Sequence, residues 1–173
     1  MKKMMDLVVT ENSTLNQNYC LLKLTTEDNS PLPAMSPGQF VEVKVDNSPT
    51  TYLRRPISVN FVDKAKNELW LLIQVVGDGT RKMSEYHVGD TVNLLLPLGN
   101  SFNIPESEPN GKILLIGGGV GIAPLLYLGA CMKEKGLKPI FLLGARSYDD
   151  LLLLDEFAKY GQVFCTTEIA KAE

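Results

Sequence analysis

The sequence contains few of the residues from which metal sites and disulfide frameworks are built. Among its 173 residues there are one histidine and three cysteines, Cys20, Cys131 and Cys165, which lie far apart. This number and spacing fit neither a disulfide framework nor a set of metal ligands. We therefore predict no metal site. We expect three buried free thiols in a reducing cytoplasm, because free cysteine is among the most buried residue types.

Long apolar runs and strongly charged segments are also missing. No apolar stretch approaches the roughly 18 to 20 residues that a membrane-spanning helix needs. Two lysines near the N-terminus are not followed by the apolar segment of a secretory signal. The net charge is only -3 at pH 7, and no basic run stands out. We therefore expect a cytoplasmic protein with neither a membrane nor a nucleic-acid partner.

The first hundred residues show an apolar period near two, which is typical of half-buried strands. Clusters of Asn, Asp, Gly and Pro separate the apolar segments as turns do, and a short helix is predicted over 80–86. Six strands with short loops predict a small antiparallel barrel over residues 1–102. The predicted strands are 6–10, 19–25, 40–45, 57–62, 69–76 and 91–96.

The second half of the chain has the order of alternating strands and helices. The unbroken apolar run 113–116 predicts a strand that is buried on both faces of a parallel sheet. A helix over 122–135, a strand over 139–143, a helix over 151–159 and a strand over 162–167 follow. This order predicts an incomplete doubly wound nucleotide-binding sheet over 112–173, with 103–111 as the linker to the barrel.

The turn between the first of these strands and its helix is a candidate phosphate site. Four glycines surround Val120 in Gly117–Gly121, and Pro124 follows in the first helical turn, where its missing N–H costs nothing. Such a junction presents free backbone N–H groups and the positive end of a helix dipole to an anion. The spacing differs from the usual Gly-x-Gly-x-x-Gly, so a tight turn without a ligand is the alternative.

Two segments of the barrel are further candidates for anion binding. Arg54 and Arg55 precede a proline at the start of a strand, and an arginine held there can grip a phosphate with a bidentate fork. Ser58 offers a hydroxyl on the same strand. Gly-Asp-Gly-Thr, ending at Thr80, opens the short helix with free N–H groups. The alternatives are solvated edge charges for the arginines and plain helix capping for Thr80.

These motifs, in this order, resemble the ferredoxin-NADP-reductase-like flavoprotein superfamily. Arg-Arg-Pro-Ile-Ser, Val-Gly-Asp-Gly-Thr, Pro-Leu-Gly-Asn-Ser-Phe and Gly-Gly-Gly-Val-Gly-Ile-Ala-Pro-Leu carry the resemblance, which covers nearly all of the chain. Within the superfamily they look most like the electron-transfer subunits of the two-subunit, NAD-linked dihydroorotate dehydrogenases. The fold that the resemblance implies is an FAD-binding antiparallel barrel followed by an NAD-binding sheet.

The resemblance also implies which residues hold the two dinucleotides. Arg55 matches the arginine on the FAD pyrophosphate, and Ser58 lies near the reactive edge of the isoalloxazine. The other residues matched to FAD are Pro56 and Ile57 on the same strand, Ile73 and Val75 on the strand that follows the flavin, and Gly79 and Thr80 at a second phosphate contact. The residues matched to the nicotinamide dinucleotide are Gly118, Gly119, Gly121 and Pro124 in the turn, with Ala145 and Arg146 near the adenosine half.

The chemistry that the resemblance implies needs no acid or base from the protein. The flavin takes a hydride from NADH and passes electrons on singly, toward an FMN-containing dihydroorotate dehydrogenase catalytic subunit in a heterotetramer of pyrimidine biosynthesis. His87, the only histidine, is expected to be a surface residue. NADH is favoured over NADPH mainly by the resemblance: Arg146 would suit a 2′-phosphate, whereas Glu168 argues against one.

One part of the family pattern is missing. The family carries a C-terminal segment whose four cysteines hold a [2Fe–2S] cluster, whereas here Cys165 is the last of three scattered cysteines. We therefore predict no cluster in this chain and expect it to be a piece of a longer protein. An intact product of 19.1 kDa from the native gene would contradict that expectation.

Two other functions stay open at this point. The partner could differ, as in a sulfide dehydrogenase or a ferredoxin-linked NADP oxidoreductase subunit of the same superfamily. Alternatively, the chain could be a non-catalytic binding module with vestigial nucleotide sites. An absorbance spectrum discriminates the last from the others, because a protein that binds flavin is yellow.

Overall fold

A computed structural model describes residues 2–106 and 111–169, and its first part is a curled antiparallel sheet. The strands of this sheet lie in the spatial order β4-β3-β7-β1-β2-β6-β5. Helix α1 (Asp78–Ser84) connects β6 to β7. The strand bounds are β1 (Lys3–Asn16), β2 (Tyr19–Thr25), β3 (Phe40–Val43), β4 (Arg55–Ser58), β5 (Phe61–Asp63), β6 (Glu68–Gln74) and β7 (Thr91–Leu98).

The alternating apolar residues of these strands fill the inside of the curl. Leu7, Leu22, Val41, Leu71 and Leu94 come from five different strands, and all are fully buried in one cluster. Strand β4, at one edge of the sheet, contacts β6 near the other edge, so the sheet closes on itself like a barrel. This confirms the predicted barrel class, because period-two patterning places one face of every strand inside.

The number of strands differs from the six predicted. The single strand expected over 57–62 is two strands, β4 and β5, which are separated by the buried residues Val59 and Asn60. The backbone N–H of Asn60 donates to the carbonyl oxygen of Trp70 on β6, whereas β4 pairs with β3. The chain therefore changes partners at Asn60, a change that a periodic apolar pattern does not reveal.

The second sheet has three parallel strands in the order β10-β9-β8. The bounds are β8 (Ile113–Gly118), α2 (Ala123–Glu134), β9 (Pro139–Ala145), α3 (Leu154–Ala158) and β10 (Gln162–Thr167). The helix predicted over 151–159 is shorter than expected because Leu153, at φ 57°, interrupts it. Residues 107–110 of the predicted linker and 170–173 of the predicted NAD-binding part lie outside the described residues.

The prediction that the strand over 113–116 is buried on both faces is wrong. Helices α2 and α3 both pack against the same face of the sheet, where Phe141 and Phe157 meet at 5.0 Å between ring centroids. On the other face Leu114 is 51% exposed and Ile116 is 65% exposed. An unbroken apolar run shows that both faces are apolar, but it does not show what covers each one.

The barrel and the parallel sheet share a packed joint. Tyr19 on β2 and Leu72 on β6 belong to the core of the parallel sheet, whereas Tyr127 on α2 belongs to the core of the barrel. The Tyr127 hydroxyl donates to the carbonyl oxygen of Met35 in a buried hydrogen bond of 3.1 Å. The two sheets are therefore held together by side chains from both sides.

The predicted exposure of the histidine and burial of the cysteines are confirmed only in part. His87 is exposed, as predicted. Cys20 is buried and Cys131 is half-buried, but Cys165 is exposed, so the prediction of three buried thiols is wrong for this residue. Cys165 lies on β10, one of the two edge strands of the parallel sheet. None of the described helices is both long enough and apolar enough to cross a membrane.

We expect iodoacetamide at about pH 8 to modify Cys165 first, Cys131 more slowly and Cys20 only on unfolding. Burial raises the pKa of the Cys20 thiol to about 11, so on the order of 0.1% of it is thiolate at that pH. Peptide mapping after timed labelling, with and without urea, measures the order. Fast labelling of Cys20 in the folded protein would contradict the buried position of β2.

Candidate functional site

The two adjacent arginines before β4 have different environments. The Arg54 guanidinium donates to the carbonyl oxygens of Glu42 and Asn93 and to the side-chain oxygen of Asn93, so it is tied into the barrel. The Arg55 guanidinium donates to the carbonyl oxygens of Leu53 and Arg54, its own neighbours in the chain. Arg55 also lines a cavity, so its remaining N–H donors can reach a ligand there.

That cavity, of about 200 Å³, lies between Arg55 and the start of α1, and we call it the barrel cavity. A Cβ on Gly79 would lie 3.1 Å from both Nε of Arg55 and Cγ2 of Thr51, so glycine lets the guanidinium approach the helix. Backbone N–H groups in the first turn of a helix lack intrahelical partners. The cavity therefore combines a cation with backbone donors, which suits a phosphate, although Asp78 adds one carboxylate to its lining.

The Thr80 hydroxyl is already used within the turn. Its oxygen accepts hydrogen bonds from the backbone N–H groups of Val76 and Gly77, and it donates to the carbonyl oxygen of Gly77. Gly77 is the N-cap, so Thr80 stabilises the helix start from inside the first turn rather than from the cap position itself. A phosphate in this cavity would therefore contact the backbone of Thr80, because the side-chain hydroxyl is already hydrogen-bonded within the turn.

The strand residues assigned to the flavin divide into exposed and buried groups. Pro56 is exposed, and Ile57 and Ser58 are half-buried, on the edge strand β4. Ile73 is fully buried in the barrel core, so its side chain is unavailable to a ligand at the surface. Val75 is half-buried and lies one residue beyond the end of β6.

A second cavity, of about 570 Å³, lies at the carboxyl ends of the parallel strands, and we call it the sheet cavity. Open α/β sheets bind their ligands at this edge. The sheet cavity brings together four of the predicted residues, Gly118, Gly119, Ala145 and Arg146. Gly121 and Pro124 are not in its lining: Gly121 is exposed in the turn, and Pro124 lies in the first turn of α2.

The glycine turn lies further along the chain than predicted, because β8 continues to Gly118. A 3-10 turn, Gly119–Ile122, separates β8 from α2, so the helix begins at Ala123. Gly119 has φ +54°, a region that residues with a side chain rarely adopt. Gly118 has extended backbone, and a Cβ there would have only the carbonyl oxygen of Gly144, at 3.8 Å, as a neighbour within 4 Å. The glycine at 118 therefore leaves open space on the cavity side.

Sequence reasoning did not identify the residues that the barrel contributes to the sheet cavity. Asn18 and Tyr19 at the β1–β2 turn, and Gln74 at the end of β6, form its barrel wall. Tyr19 is buried, and burial first, then the charge of Asp150, raise the pKa of its phenol. Turn residues about a hundred positions from the glycines carry no motif, so only the packing of the two sheets reveals them.

Charged side chains of both signs line the same cavity. Arg146 follows β9, and Glu168 follows β10. The backbone N–H of Glu168 donates to the carbonyl oxygen of Ala145, which fixes the two strand ends side by side. Asp150 accepts hydrogen bonds from the side chains of Ser147 and Asn16. The cavity can therefore bind an anion at Arg146 and hydroxyl groups at the carboxylates.

Metal-ligating side chains do not gather in the described part of the chain. Across residues 2–106 and 111–169, no group of three or more His, Cys, Asp and Glu side chains is placed to hold a metal ion. The three cysteines are free. Nothing among these residues supplies the four ligands of an iron–sulfur cluster.

Curated proteins of one name match most of this chain. The chain is 38% identical over 135 residues to the "Dihydroorotate dehydrogenase B (NAD(+)), electron transfer subunit" of Streptococcus pneumoniae, covering 78% of this chain and 52% of that protein. The protein of the same name in Listeria monocytogenes is 42% identical over 133 residues, covering 77% and 52%. The one in Fusobacterium nucleatum is 31% identical over 165 residues, covering 95% and 63%. The chain thus spans about half of the length of such relatives.

Solved structures agree on the fold, and a family match identifies the chain. An NADH-dependent reduced ferredoxin-NADP oxidoreductase is 27% identical with a TM-score of 0.80, covering 95% of this chain and 57% of that one. Phthalate dioxygenase reductase, at 21% identity and a TM-score of 0.75 over 95% and 52%, shows the fold alone. The family described as "Oxidoreductase FAD-binding domain" matches residues 6–102. Since residues 6–102 are more than half of this chain's 173 residues, the chain belongs to the oxidoreductase FAD-binding domain family.

Proposed function

We propose that this chain is the electron-transfer part of an NAD-linked dihydroorotate dehydrogenase, which carries electrons from NADH through FAD to a partner catalytic subunit. The observation that carries the proposal is that one molecule holds two separate cavities, one on the barrel and one at the parallel sheet, each lined by an arginine and by glycine backbone. The family match supports FAD at the first. The names of the curated relatives support NAD at the second and dihydroorotate oxidation in the partner.

The barrel cavity fits the diphosphate of FAD. Gly79 gives the cradle in which Arg55 lies against the helix start, and Asp78, Gly79 and Thr80 of the first helical turn line the same space. Backbone N–H groups of a first turn have no partner within the helix. In this proposal Arg55 and the backbone of Gly79 and Thr80 bind the diphosphate. Pro56, Ile57 and Ser58 lie along the isoalloxazine, with backbone from Ile73 and Val75 beside it. We assign residues 1–102 to FAD and 112–173 to NAD.

The sheet cavity fits the nicotinamide dinucleotide. Backbone at Gly118 and Gly119 approaches the diphosphate without a Cβ in the way, and Gly121 and Pro124 shape the turn behind it. Ala145 and Arg146 hold the adenosine end, and Tyr19 closes the barrel side of the cavity.

In the reaction, bound FAD supplies the hydride acceptor and releases electrons singly. The chain's own residues orient and enclose the two rings. Ser58 can offer a hydroxyl to the edge of the flavin, since a hydroxyl both donates and accepts. Arg55 would hold the diphosphate by charge and so help to orient the flavin against the barrel. No side chain has to take up a proton from substrate, which agrees with the exposed position of His87.

We expect NADH to bind more tightly than NADPH, by at least about 10-fold, because Glu168 and Asp150 place two carboxylates in the sheet cavity against the single cation of Arg146, and they would repel a 2′-phosphate. Glu168→Gln should reduce the preference several-fold, chiefly by improving NADPH binding. Steady-state reduction of a dye with each coenzyme measures it. Asp149→Asn is the matched control, because Asp149 is acidic and close by but is not in the cavity lining.

The proposal also includes a partner subunit that accepts the electrons and a location in the cell. An FMN-containing dihydroorotate dehydrogenase catalytic subunit would accept the electrons in a cytoplasmic heterotetramer. Any [2Fe–2S] cluster between the flavins would be held by residues other than those described here. The free thiols of the chain suit a reducing compartment.

The test begins with the absorbance spectrum of the purified chain after incubation with FAD. Bands at about 375 and 450 nm, bleached by NADH without oxygen, are the expected result. The partner catalytic subunit and orotate are then added to the protein made from its native gene, and orotate should be reduced to dihydroorotate at the expense of NADH. A protein that stays colourless with FAD would contradict the proposal and favour a binding module.

A second candidate function keeps the cofactors and changes the partner. The likeness to the ferredoxin-NADP oxidoreductase, at 27% identity, favours a ferredoxin-linked reductase as this alternative. Reduction of ferredoxin, with no transfer to the dihydroorotate dehydrogenase subunit, would select it.

A further inference from the structure

Asn60 is a fully buried polar residue at the joint between the two sheets. It lies between β4 and β5, two residues after Ser58, and its exposed fraction is 0%. Its position in the sequence follows no motif, and sequence reasoning did not identify it. Buried polar side chains are nearly always hydrogen-bonded, so the partners of this amide show what it does.

Its hydrogen bonds link the flavin-side strand to the helix behind the glycine turn. The side-chain Nδ2 of Asn60 donates to the carbonyl oxygen of Ala123 at 2.9 Å. The carbonyl oxygen of Asn60 accepts from the backbone N–H of Tyr127 at 3.2 Å, while its own N–H donates to Trp70. Ala123 and Tyr127 are four residues apart, one turn of α2. One residue therefore holds both ends of the first turn of that helix.

The next residue strengthens the same joint. The Phe61 ring lies 5.8 Å from the ring of Tyr127 on α2 and 5.8 Å from that of Tyr160, which follows α3. It also lies 5.1 Å from the ring of Trp70 on β6. These aromatic contacts bring the two sheets together, but they are less directional than the hydrogen bonds of Asn60. The angular setting of α2 therefore depends on the amide.

The amide also carries a cost. The Oδ1 atom of Asn60 is buried and has no hydrogen-bond partner among the described residues. A leucine of similar size would remove this orphaned acceptor, but it would leave the buried carbonyl oxygen of Ala123 without its donor, so the hydrogen bond to α2 is what accounts for an amide here. The donor to Ala123 is what the amide adds.

We infer that Asn60 is a positioning residue, which sets the nicotinamide-binding turn against the flavin-binding strand; this rests on the proposed function. Ser58 is two residues before Asn60, and the glycine turn ends two residues before Ala123. The hydrogen bond therefore joins residues that lie two positions from each of the two proposed sites. Hydride transfer is steeply sensitive to the separation and orientation of the two rings, whereas the binding of each dinucleotide depends on contacts within its own cavity.

The test is the limiting rate of flavin reduction by NADH, measured by anaerobic stopped flow on the FAD-loaded chain. For Asn60→Leu we expect this rate to fall about 30-fold, because a displacement near 1 Å costs about 100-fold. The dissociation constants of FAD and NADH should stay within about 3-fold of the parental values. This split between rate and affinity is what a merely structural role would not produce.

Asn12→Leu is the matched control. Asn12 Nδ2 also donates to backbone carbonyl oxygens, those of Met83, Ser84 and Tyr86, and its Oδ1 is also buried without a partner. That amide lies within the barrel, away from the joint, so with FAD saturating its variant should be reduced at the parental limiting rate. If Asn60→Leu does not fold, the smaller Asn60→Ser, which shortens the side chain, is measured in the same way.

Three outcomes would overturn the inference. Reduction of the Asn60 variant at the parental limiting rate would do so while leaving the proposed function intact. An equal loss of rate in Asn12→Leu would also overturn it, because the slower reduction would then follow from lower stability and not from the position of Asn60. Failure of NADH to reduce the FAD of the unsubstituted chain would contradict the proposed function, and the inference would fall with it.

Discussion

Replacing Arg55 with alanine is expected to weaken FAD binding by roughly 10- to 100-fold, since a hydrogen bond to a charged group contributes about 1.5–3 kcal/mol. The Arg55 guanidinium lines the barrel cavity, and in the protein it donates to carbonyl oxygens of its own neighbours. Its removal should therefore leave the unfolding midpoint of the protein without FAD almost unchanged. Flavin fluorescence titration measures the affinity, and urea unfolding measures the stability.

Arg54→Ala is the adjacent control, and its expected result is the reverse. Arg54 bridges Glu42 on β3 and Asn93 on β7, so its loss should lower the free energy of unfolding by about 1–3 kcal/mol. The folded fraction should bind FAD within about 3-fold of the parental affinity. If the two alanine variants lose FAD equally, Arg55 has no special place in the cavity, and the assignment fails.

Replacing Gly118 with valine is expected to weaken NADH binding by at least about 100-fold, because displacing a well-fitted ligand from a packed site costs about 3 kcal/mol or more. Gly118 has extended backbone, which valine adopts readily. The new side chain would have the carbonyl oxygen of Gly144 beside it and would otherwise fill the sheet cavity. Calorimetric titration with NAD⁺, and FAD titration of the same sample, measure the two affinities.

Gly121→Ala separates cavity filling from a general disturbance of the turn. No atom lies within 4 Å of a Cβ placed on Gly121, and the residue is not in the cavity lining. We expect NADH affinity to change by less than about 5-fold in this variant. Normal NADH binding by Gly118→Val would show that the dinucleotide lies elsewhere and would remove the sheet cavity from the proposal.

The sequence predicts this fold well wherever local pattern decides the structure. The period of two places Leu22 and Leu71 inside the barrel, and the strand predicted over 162–167 is β10 with the same bounds. The local pattern does not predict strand boundaries that are set by contacts with residues elsewhere in the chain. The division of β4 from β5 at Asn60 depends on Trp70, which is ten positions away, and on Ala123 and Tyr127 of α2, which are more than sixty positions away.

In the candidate site too, the sequence indicates some residues, and only the packing of the fold reveals the others. Glycine spacing indicates the turn at Gly118 and Gly119 because phosphate-binding turns need bare backbone. Arg54 and Arg55 are chemically identical neighbours, so their residue type does not distinguish the one that is tied into the barrel from the one that faces a cavity. Tyr19 forms part of the sheet cavity only because the outer surface of β2 packs against the second sheet.

The shared joint between the two sheets has a consequence for how the molecule responds to heat and denaturant. Tyr127 is a residue of α2 and yet belongs to the barrel core, while Tyr19 and Leu72 are barrel residues within the core of the parallel sheet. Loss of either core therefore exposes apolar surface of the other. We therefore expect the two sheets to melt as one cooperative unit, so that a ligand which stabilises one cavity also protects the other from unfolding.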